Sequence, residues 1–431
     1  MIDPPPWVTH ELPTSGASLA DLNDPQQAVA WLRTPQAVRL RCNAVFAAAE
    51  RDALDHFALD MERLDAAAAY VVDTIRQAYP TLKIPYHSRW RHFATGGRDR
   101  WAELAGRLAG SPMDEIARIR IDLAVTSVLL DAGAGARWRY TEPGTGEVYG
   151  RSEGLAVASF HLFLGGALSA RPDAPLRADA EALAGLTAAR LAEAFQAGED
   201  NPLVGLEGRA ALLRRLAAAL AAAPEMFGGA APRLGNLYDY LAAQAPACRL
   251  PAGVILDAVL RGLGPIWPGR IALGGDNLGD VWRHPAAAGE DLTDGLVPFH
   301  KLSQWLSYSL VEPLEQDDIA VTGLEDLTGL PEYRNGGLLV DLGVLRPKHD
   351  RVLGGRHEVS SELVVEWRAL TVALLDRLAR RVRERLGLDE TALPLAKVLE
   401  GGTWSAGRRI ARERRPDGGP PIHVVSDGTV F

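Results

Sequence analysis

Cysteine is scarce in this sequence. Only Cys42 and Cys248 occur among 431 residues, too few for a disulfide framework or a four-cysteine zinc site. A reducing compartment, the cytoplasm, is therefore expected. Long apolar runs are also missing, because the most apolar stretches are alanine-rich and carry Arg or Glu every few residues; none reaches the ~20 residues of a membrane span. The N-terminal MIDPPPWVTHELP lacks the basic start and apolar centre of a signal peptide.

Positive charge is not in excess either. Asp and Glu number 55 against 46 Lys and Arg, for a net charge of -9. This balance argues against a surface that is basic throughout and against a nucleic-acid partner, although it leaves room for a local basic pocket. Hydrophobic residues make up 47% and charged residues 23%, which is typical of a folded globular protein and not of a disordered or fibrous chain.

The familiar short motifs of cofactor and metal chemistry are absent as well. The sequence contains no GxxxxGK[ST], HExxH, GxSxG or CxxC. The GGDNLG segment at 274–279 does not follow a strand pattern, so dinucleotide binding is not expected. His87 and His92 flank Arg89 and Arg91, and these cations disfavour a divalent metal. We therefore expect no metal and no cofactor.

Helical periodicity dominates what is present. Thr34-Pro35 and Ser111-Pro112 each resemble a cap followed by proline at the first helical position. Strands and helices do not alternate, so a doubly wound sheet is not expected. The predicted fold class is mainly α, a multi-helix globular fold. The predicted helical runs span 35–50, 60–78, 113–130, 154–168, 206–223, 237–243, 251–263, 297–314, 360–386, 393–399 and 405–414.

Strand signals are confined to one or two short β-hairpins. Residues 138–140 and 148–149 flank the turn sequence PGTG, and 421–425 and 429–431 flank SDG. Residues 1–34 are predicted to be an N-terminal extension and 35–431 a single large helical unit. An alternative division of that unit gives an N-terminal helical part, 35–200, and a C-terminal part, 201–431. Residues 262–295 form a long Pro- and Gly-rich stretch, and long ordered loops of this kind are often functional.

The segment PYHSRWRHF at 85–93 combines two Arg, two His and three aromatic residues. Arginine forks match phosphate oxygens in pairs, and aromatic rings wall a pocket. His87, Arg89 and Arg91 are therefore candidate binding residues. The alternative is a surface turn whose Trp and Phe dock into the core while its charges stay solvated.

The irregular stretch carries a second cluster, WPGR at 267–270 and DNLGDVWRHP at 276–285. Rigid aromatics, charges and glycines are the composition of a binding loop, which makes Asp280 and Trp282 candidates. In the alternative interpretation the aspartates only cap turns.

Residues 298–309 read PFHKLSQWLSYS. On a helix, Lys301 shares a face with Gln304, Trp305 and Tyr308, and an anionic substrate group fits such a face. The alternative is a lysine that extends past the edge of an aromatic core.

The turn TGLPEYRNGG at 328–337 places Glu332 beside Tyr333 and Arg334. A carboxylate next to arginine on a Pro- and Gly-rich turn suits a positioned acid or base. A Glu332–Arg334 pair that merely stabilises the turn is the alternative.

The helical segment 362–370 holds Glu362, Glu366 and Arg368 among apolar residues. These three charges either support a neighbouring site or are solvated, and the pattern does not favour one interpretation over the other.

Several long segments of the chain are specific enough to indicate a family. They are YHSRWRHF, DLAVTSVLLDAGAG, GRSEGLAVAS, NPLVGLEGRAALLRRL, GPIWPGR, NLGDVWRHP, LVPFHKLSQWL, LTGLPEYRNGGL, VEWRALTVALLDRL, GGTWSAGRRIA and SDGTVF. These segments resemble the uracil catabolism protein 4 family, a domain of unknown function found in fungi and bacteria, and the resemblance covers about residues 35–431. It implies a role in a pyrimidine-degradation route in which uracil is attached to ribose 5-phosphate and a GTP-cyclohydrolase-II-like partner opens the ring. It supplies a pathway and not a reaction.

The C-terminal half is also distantly similar to the queuosine-salvage N-glycosidases, which have a helical fold related to DNA glycosylases. Lys301 and Gln304 keep the spacing of that family's Lys and Gln. Its Asp-Tyr-Arg motif appears here as Glu332-Tyr333-Arg334, so the carboxylate is one methylene further out. This departure leaves open whether Asp280 or Asp341 takes the carboxylate role instead.

Together these features predict a helical hydrolase that cleaves the N-glycosidic bond of a ribosyl 5-phosphate bearing uracil or a ring-opened urea fragment. The alternatives are a non-catalytic ribotide-binding partner of the cyclohydrolase-like enzyme and a metal-dependent amidohydrolase acting on a ureide. The candidate residues are expected to converge on one pocket. The catalytic candidates are Glu332, Lys301, Asp280 and Asp341, and the substrate-binding candidates are His87, Arg89, Arg91, Trp282, Gln304, Trp305, Tyr333 and Arg334.

Overall fold

Helices build most of the molecule, as the periodicity predicts. The computed structural model describes residues 21–131, 133–135 and 137–425. The described helices are α1 (Pro25–Leu32), α2 (Pro35–Glu50), α3 (Leu64–Ala78), α4 (Arg89–Phe93), α5 (Arg100–Arg107), α6 (Met113–Leu129), α7 (Arg151–Leu164), α8 (Ala180–Ala184), α9 (Ala188–Ala194), α10 (Leu206–Ala222), α11 (Pro224–Phe227), α12 (Leu237–Ala242), α13 (Ala252–Leu263), α14 (Lys301–Glu315), α15 (Tyr333–Asp341), α16 (Arg351–Gly354), α17 (Glu362–Leu386), α18 (Leu395–Val398) and α19 (Trp404–Arg414).

The strands are two or three residues long and pair only two at a time within the described ranges. The predicted hairpin near residue 140 is confirmed as β2 (Tyr140–Thr141) with β3 (Val148–Tyr149). The other strands are β1 (Phe57–Leu59), β4 (Arg249–Pro251), β5 (Ala272–Leu273), β6 (Asp276–Asn277), β7 (Val281–Arg283), β8 (Leu296–Pro298), β9 (Ala320–Thr322), β10 (Leu345–Pro347), β11 (Arg356–Glu358) and β12 (His423–Val425).

Of the remaining strand pairs, β5–β6 is a local hairpin, and β1–β10, β4–β9 and β11–β12 join distant parts of the chain. The antiparallel pairs are β1–β10, β5–β6 and β7–β8, and the parallel pairs are β4–β9 and β11–β12. The first strand of the predicted C-terminal hairpin is therefore β12, but its partner is β11. The predicted return strand, 429–431, lies outside the described residues.

Helix starts follow the expected capping chemistry at one of the two predicted positions. The Thr34 hydroxyl accepts a hydrogen bond from the Ala37 amide (3.1 Å), and Pro35 opens α2. The prediction for Ser111 is wrong, since Pro112 itself occupies the cap position of α6 and no side chain caps that helix. The fixed φ of proline is compatible with a helix start, although its ring accepts no hydrogen bond from the amides of the first turn.

Helix α17 lies at the centre of the molecule. Its first 21 residues bury side chains on nearly every face, and it packs against α2, α3 and α15. A helix that is apolar on all sides has to be surrounded by other elements. Helix α14 packs against α6 and α13, and α15 packs against α19. A Cβ atom at Gly407 on α19 would collide with the carbonyl oxygen of Arg334, so glycine permits this close approach of α19 to α15.

The predicted helix at 297–314 starts four residues later than expected. Val297 and Pro298 belong to β8, where they pair with Trp282 and Val281. The expected irregular stretch around 270 also contains the β5–β6 hairpin. Gly274 and Gly275 form its turn with φ of 58° and 92°, values that favour glycine.

The N-terminal helix α1 packs on the helical body. Val29 and Leu32 form a small apolar cluster with Leu278, Val281 and Leu296. Residues on both sides of position 200 contribute to one continuous hydrophobic core, and the domain division remains a prediction. The likeness of the C-terminal half to DNA glycosylases also stays a prediction. Among the described residues, no helix is long and apolar enough to cross a membrane.

Candidate functional site

Lys301 and Glu332, two of the residues singled out in the sequence, lie close enough to interact electrostatically. Lys301 is the first residue of α14 and Glu332 is the cap of α15, so two helix N-termini bring them together. Burial lowers the pKa of Lys301 and raises that of Glu332, and each group partly offsets this effect in the other. These two side chains, called here the Lys301–Glu332 pair, therefore favour each other's charged forms.

The Glu332 carboxylate also accepts two backbone hydrogen bonds, from the amides of Arg334 (2.8 Å) and Asn335 (2.6 Å). These bonds fix the side chain at the start of α15 and favour its ionised form. The side chain of Arg334 points elsewhere, donating to the carbonyl oxygen of Gly418 (3.0 Å) and lying over the Tyr333 ring (4.8 Å). The predicted alternative of a simple Glu332–Arg334 side-chain pair is therefore not what positions Glu332.

Asp280 and Arg368 form a buried ion pair, and Asp280 also contacts the backbone of Lys301. Arg368 donates two hydrogen bonds to the Asp280 carboxylate, at 2.7 and 2.8 Å, and the Trp282 indole adds one at 2.7 Å. The Lys301 amide donates to the same carboxylate (3.0 Å). Burial alone would raise the pKa of Asp280, but the Arg368 guanidinium outweighs it and holds the pKa well below the usual range. Because the Arg368 guanidinium is paired with both of its oxygens, Asp280 is a weak proton acceptor, and its role is to position α14.

Arg89 is completely buried and paired with a carboxylate that the sequence analysis did not select, Asp131. Arg89 Nη1 lies 3.0 Å from Asp131 Oδ2, and Arg89 Nε donates to the Ser127 hydroxyl (2.7 Å). Burial raises the pKa of Asp131, opposed by Arg89 and, more weakly, by Lys301. Asp131 thus pairs with Arg89 and lies within electrostatic range of Lys301. The signal for it was an acidic residue ending the apolar run VTSVLL.

The charged residues Arg89, Asp131, Lys301 and Glu332 are called here the charged cluster. Four aromatic rings lie beside it, those of His87, His92, Trp305 and Trp404. His87 and His92 each contact both Trp305 and Trp404, with ring centroids 5.8 to 6.3 Å apart. Arg89 lies over the Trp305 ring at 5.8 Å, which joins the rings to the charges. Burial and the neighbouring Arg89 hold the pKa of His92 well below its usual value. The His87 ring contacts Glu400 (2.7 Å) in a π-helical turn, 399–403, a conformation frequent at functional sites.

The cluster contains four buried polar atoms that have no hydrogen-bond partner within the described part of the chain. Buried polar groups are nearly always paired in folded proteins, so four unpaired ones on residues linked through Arg89 and Trp305 indicate a place suited to a polar ligand. These atoms are Arg89 Nη2, His92 Nδ1, Asp131 Oδ1 and Trp305 Nε1.

The backbone is unusual at two helix starts around the cluster. His300, just before Lys301, has φ 47°, and Arg151, the first residue of α7, has φ 54°. Such left-handed conformations are uncommon for side chains other than glycine and often occur at functional sites. His300 is fixed there because its Nε2–H donates to the carbonyl oxygen of Leu32 (2.9 Å).

An open, arginine-rich cleft of about 620 Å³ adjoins the site. Glu153 and Arg408, which form an ion pair at 2.7 Å, belong to its lining. Arg408 also lies over the Trp404 ring at 4.8 Å, so the cleft reaches the aromatic rings. Its lining includes Arg139, Arg151, Glu153, Arg408, Arg412 and Gly418.

Other sequence candidates lie at the edge of the site or outside it. Both ends of the Gln304 amide bond to Thr328 (2.6 and 3.1 Å), so Gln304 anchors a loop. Arg91 pairs with Glu312 (2.6 Å). Asp341 pairs with Arg415, and it lies about 13 Å along α15 from Glu332 at 1.5 Å per residue.

The Trp-rich loop behind Asp280 encloses little space. Trp282 is stacked under Arg270 at 5.1 Å, and the cavity between Trp267 and Asp280 measures about 20 Å³. That volume holds roughly one water molecule. The loop therefore supports Asp280, and it does not offer a second binding site for a ribotide.

Comparison with known proteins places this arrangement in a family. Residues 31–431 match the family described as "Protein of unknown function (DUF1688)". The chain belongs to this family. The matched region contains all the residues of the charged and aromatic clusters, so the site lies within the DUF1688 domain and not in an added segment.

Two members of known name are similar over almost their whole length. Protein urg3 of Schizosaccharomyces pombe is 41% identical over 413 residues, covering 94% of this chain and 99% of the relative. Uracil catabolism protein 4 of Lachancea kluyveri is 39% identical over 437 residues, with the same coverage of 94% and 99%. The predicted family resemblance is thereby confirmed.

Proposed function

We propose that this DUF1688 protein acts in uracil catabolism as an N-glycoside hydrolase that splits a ribosyl 5-phosphate from uracil or from a ring-opened urea fragment. The pathway part is supported by similarity to uracil catabolism protein 4. The observation that carries the chemistry is the Lys301–Glu332 pair near four buried polar atoms that have no partner among the described residues. A charged, walled site of this kind suits a polar substrate.

Cleavage of a C–N glycosidic bond develops positive charge on the ribose ring. A carboxylate held beside C1′ stabilises that charge, or takes a proton from the attacking water. In our proposal Glu332 has this role, because its backbone hydrogen bonds hold it in place. Burial raises the pKa of Glu332, and the two backbone hydrogen bonds and Lys301 oppose that rise and favour the ionised form. The hydroxyl of water adds to C1′, and the leaving nitrogen receives the proton.

The aromatic side of the site suits the leaving group. Trp305 and Trp404 offer flat apolar faces, and the unpaired Trp305 Nε1 and His92 Nδ1 offer hydrogen bonds at the edges. Burial lowers the pKa of His92, so its ring is neutral at physiological pH, and uracil and urea are also neutral. A neutral group is thus matched to the neutral part of the substrate.

The arginine-rich cleft suits the 5-phosphate. Arg151, Arg408 and Arg412 line it, and guanidinium groups bind phosphate in pairs of hydrogen bonds. The sequence also names Arg89 and Arg334 as substrate-binding candidates. Arg89 and Arg334 are buried and engaged with Asp131 and Gly418, whereas Arg151 and Arg412 are exposed in the cleft and are the better candidates.

Release of ribose 5-phosphate from UMP and from ribosylurea 5-phosphate tests the proposal. We expect release from at least one of them, with and without a chelator. Binding without turnover would indicate a ribotide-binding partner protein instead. Breakdown of the urea fragment with the ribose–nitrogen bond intact, abolished by the chelator while the protein stays folded, would indicate a metal-dependent amidohydrolase.

The pH dependence of kcat/KM follows from the two coupled groups. Because burial raises the pKa of Glu332 above its ordinary 4.5, activity requiring the carboxylate is lost as pH falls through a value above 4.5. Because burial lowers the pKa of Lys301 from 10.5, activity requiring the ammonium is lost as pH rises through a value below 10.5.

The variant Lys301→Arg distinguishes the acidic limb of the pH–activity profile, assigned to Glu332, from the basic limb, assigned to Lys301. Arginine stays charged to about pH 12, so the basic limb should move upward while the acidic limb stays in place. A profile that is flat from pH 4.5 to 10.5 in the wild type, or a basic limb that does not respond to Lys301→Arg, would contradict this assignment.

A further inference from the structure

A second group of potential ligands lies near the N-terminus of α17, away from the Lys301–Glu332 pair. One atom each from His56, Glu362 and Glu366 lies within 4.8 Å of the others. Glu366 and Arg368 are two residues apart on α17, or about 200° around the helix. The face that carries Glu366 is therefore nearly opposite to the one that supports Asp280.

Glu366 is fully buried, but only one of its oxygens is satisfied. Oε1 accepts hydrogen bonds from the amides of Phe57 (2.8 Å) and His56 (3.3 Å). Oε2 has no hydrogen-bond partner among the described residues. A buried carboxylate with an open oxygen is costly unless a cation or a proton meets it.

His284 lies next to the open oxygen, Oε2 of Glu366, and orients it. The Nδ1 atom of His284 accepts a hydrogen bond from the Ala286 amide (3.1 Å), so a neutral His284 carries its proton on Nε2. This Nε2 lies 3.6 Å from Glu366 Oε2, and its side chain is almost completely buried. His284 thus orients the carboxylate from behind, as residues next to metal ligands commonly do.

Two further features favour a cation. Glu362 and Glu366 are four residues apart on one helix, and like charges at this spacing repel each other. Among the described residues, neither forms an ion pair with Lys or Arg. The His56 ring is held by His349, whose Nε2 lies 3.0 Å from His56 Nδ1.

We propose that His56, Glu362 and Glu366 bind one divalent first-row transition-metal ion, with His349 and His284 as positioning residues. One imidazole and two carboxylates are ligands that Zn²⁺, Mn²⁺ and Co²⁺ accept. The ion would join the loop before β1 to the start of α17, which indicates a role in fastening the fold. The proposal does not depend on the glycosidase assignment.

Metal binding is testable on the full-length, untagged protein. We expect about one equivalent of metal in the purified protein by mass spectrometry, and saturable binding of Zn²⁺ to chelator-treated protein by calorimetry. Glu362→Gln and His56→Gln should each weaken Zn²⁺ binding at least tenfold. Glu362 is exposed, so its replacement should leave the protein folded.

Glu384→Gln is the matched control, since Glu384 is an exposed glutamate near the other end of α17, and it should bind Zn²⁺ as the wild type does. Zn²⁺ should raise the thermal transition of the wild type but not that of Glu362→Gln. The proposal is overturned if chelator-treated wild type binds none of Zn²⁺, Mn²⁺ or Co²⁺ saturably, or if Glu362→Gln and His56→Gln bind Zn²⁺ as tightly as the wild type. A chelator that lowers the thermal transition while ribose 5-phosphate release continues would separate this site from the catalytic one.

Discussion

Replacing Glu332 with glutamine is expected to lower kcat by about 10²–10³-fold, equivalent to roughly 3–4 kcal/mol of transition-state stabilisation. Glutamine keeps the shape of the side chain and one acceptor oxygen, but it lacks the charge that faces the developing cation. Substrate binding should change little, because the ground state carries no positive charge on the ribose. Steady-state kinetics on the substrate that the wild type turns over measures both quantities.

The control for this variant has to account for helix capping, since Glu332 also caps α15. Asp179 offers the match, because its buried carboxylate accepts backbone hydrogen bonds from Ala182 (3.1 Å) and Ala170 (3.0 Å) and caps α8. Asp179→Asn should lose a similar amount of stability, about 1 kcal/mol, and keep its turnover. If Glu332→Gln loses stability and keeps wild-type kcat, Glu332 is only a capping residue.

The second large effect concerns stability. Asp280→Asn should lower the free energy of unfolding by about 3–5 kcal/mol, because it leaves the buried Arg368 guanidinium without its counter-charge. The same change also weakens the hydrogen bond that the Lys301 amide donates to Asp280 at the start of α14. Urea denaturation at neutral pH measures the loss.

The effect of Asp280→Asn should also depend on pH. Arg368 holds the pKa of Asp280 below its ordinary 3.8. The carboxylate therefore adds stability above the unfolded-state pKa, and this contribution is lost as pH falls through the folded-state value. The wild-type and variant stabilities should approach each other in acid.

Asp341→Asn is the comparison for this second effect. Its partner Arg415 is about one-quarter exposed, so the variant should lose only about 1 kcal/mol. Equal losses for Asp280→Asn and Asp341→Asn would contradict the supporting role that we assign to the Asp280–Arg368 pair.

Lys301 and Glu332 can be proposed as site residues from the sequence, because each lies among aromatic residues or turn residues where an ordinary solvated charge is not expected. Residue patterns also located most helices, since an apolar stripe at helical spacing has to be buried. They failed at the start of α14, where Val297 and Pro298 are held in a strand by residues 281 and 282. That pairing depends on a long connection which local propensity does not describe.

Asp131 could not be identified as a site residue from the sequence, for a different reason. Asp131 acquires its role from Arg89, 42 positions earlier, and from Lys301, 170 positions later. Pairing across such separations arises from tertiary packing, and neither residue carries a local signal for the other. The same holds for Arg368, whose charge was equally compatible with a supporting role and with solvation until its contacts with Asp280 were seen.

The central claim is that this protein breaks the bond between ribose C1′ and nitrogen, and the fate of C1′ tests it most directly. A ribotide substrate labelled with ¹³C at C1′ can be followed by NMR during incubation with the protein. We predict that the labelled carbon changes from an N-glycoside signal to the hemiacetal signals of free ribose 5-phosphate, and that Glu332→Gln slows this change by about 10²–10³-fold. A C1′ signal that remains that of an N-glycoside while the base or urea fragment is consumed would contradict the claim.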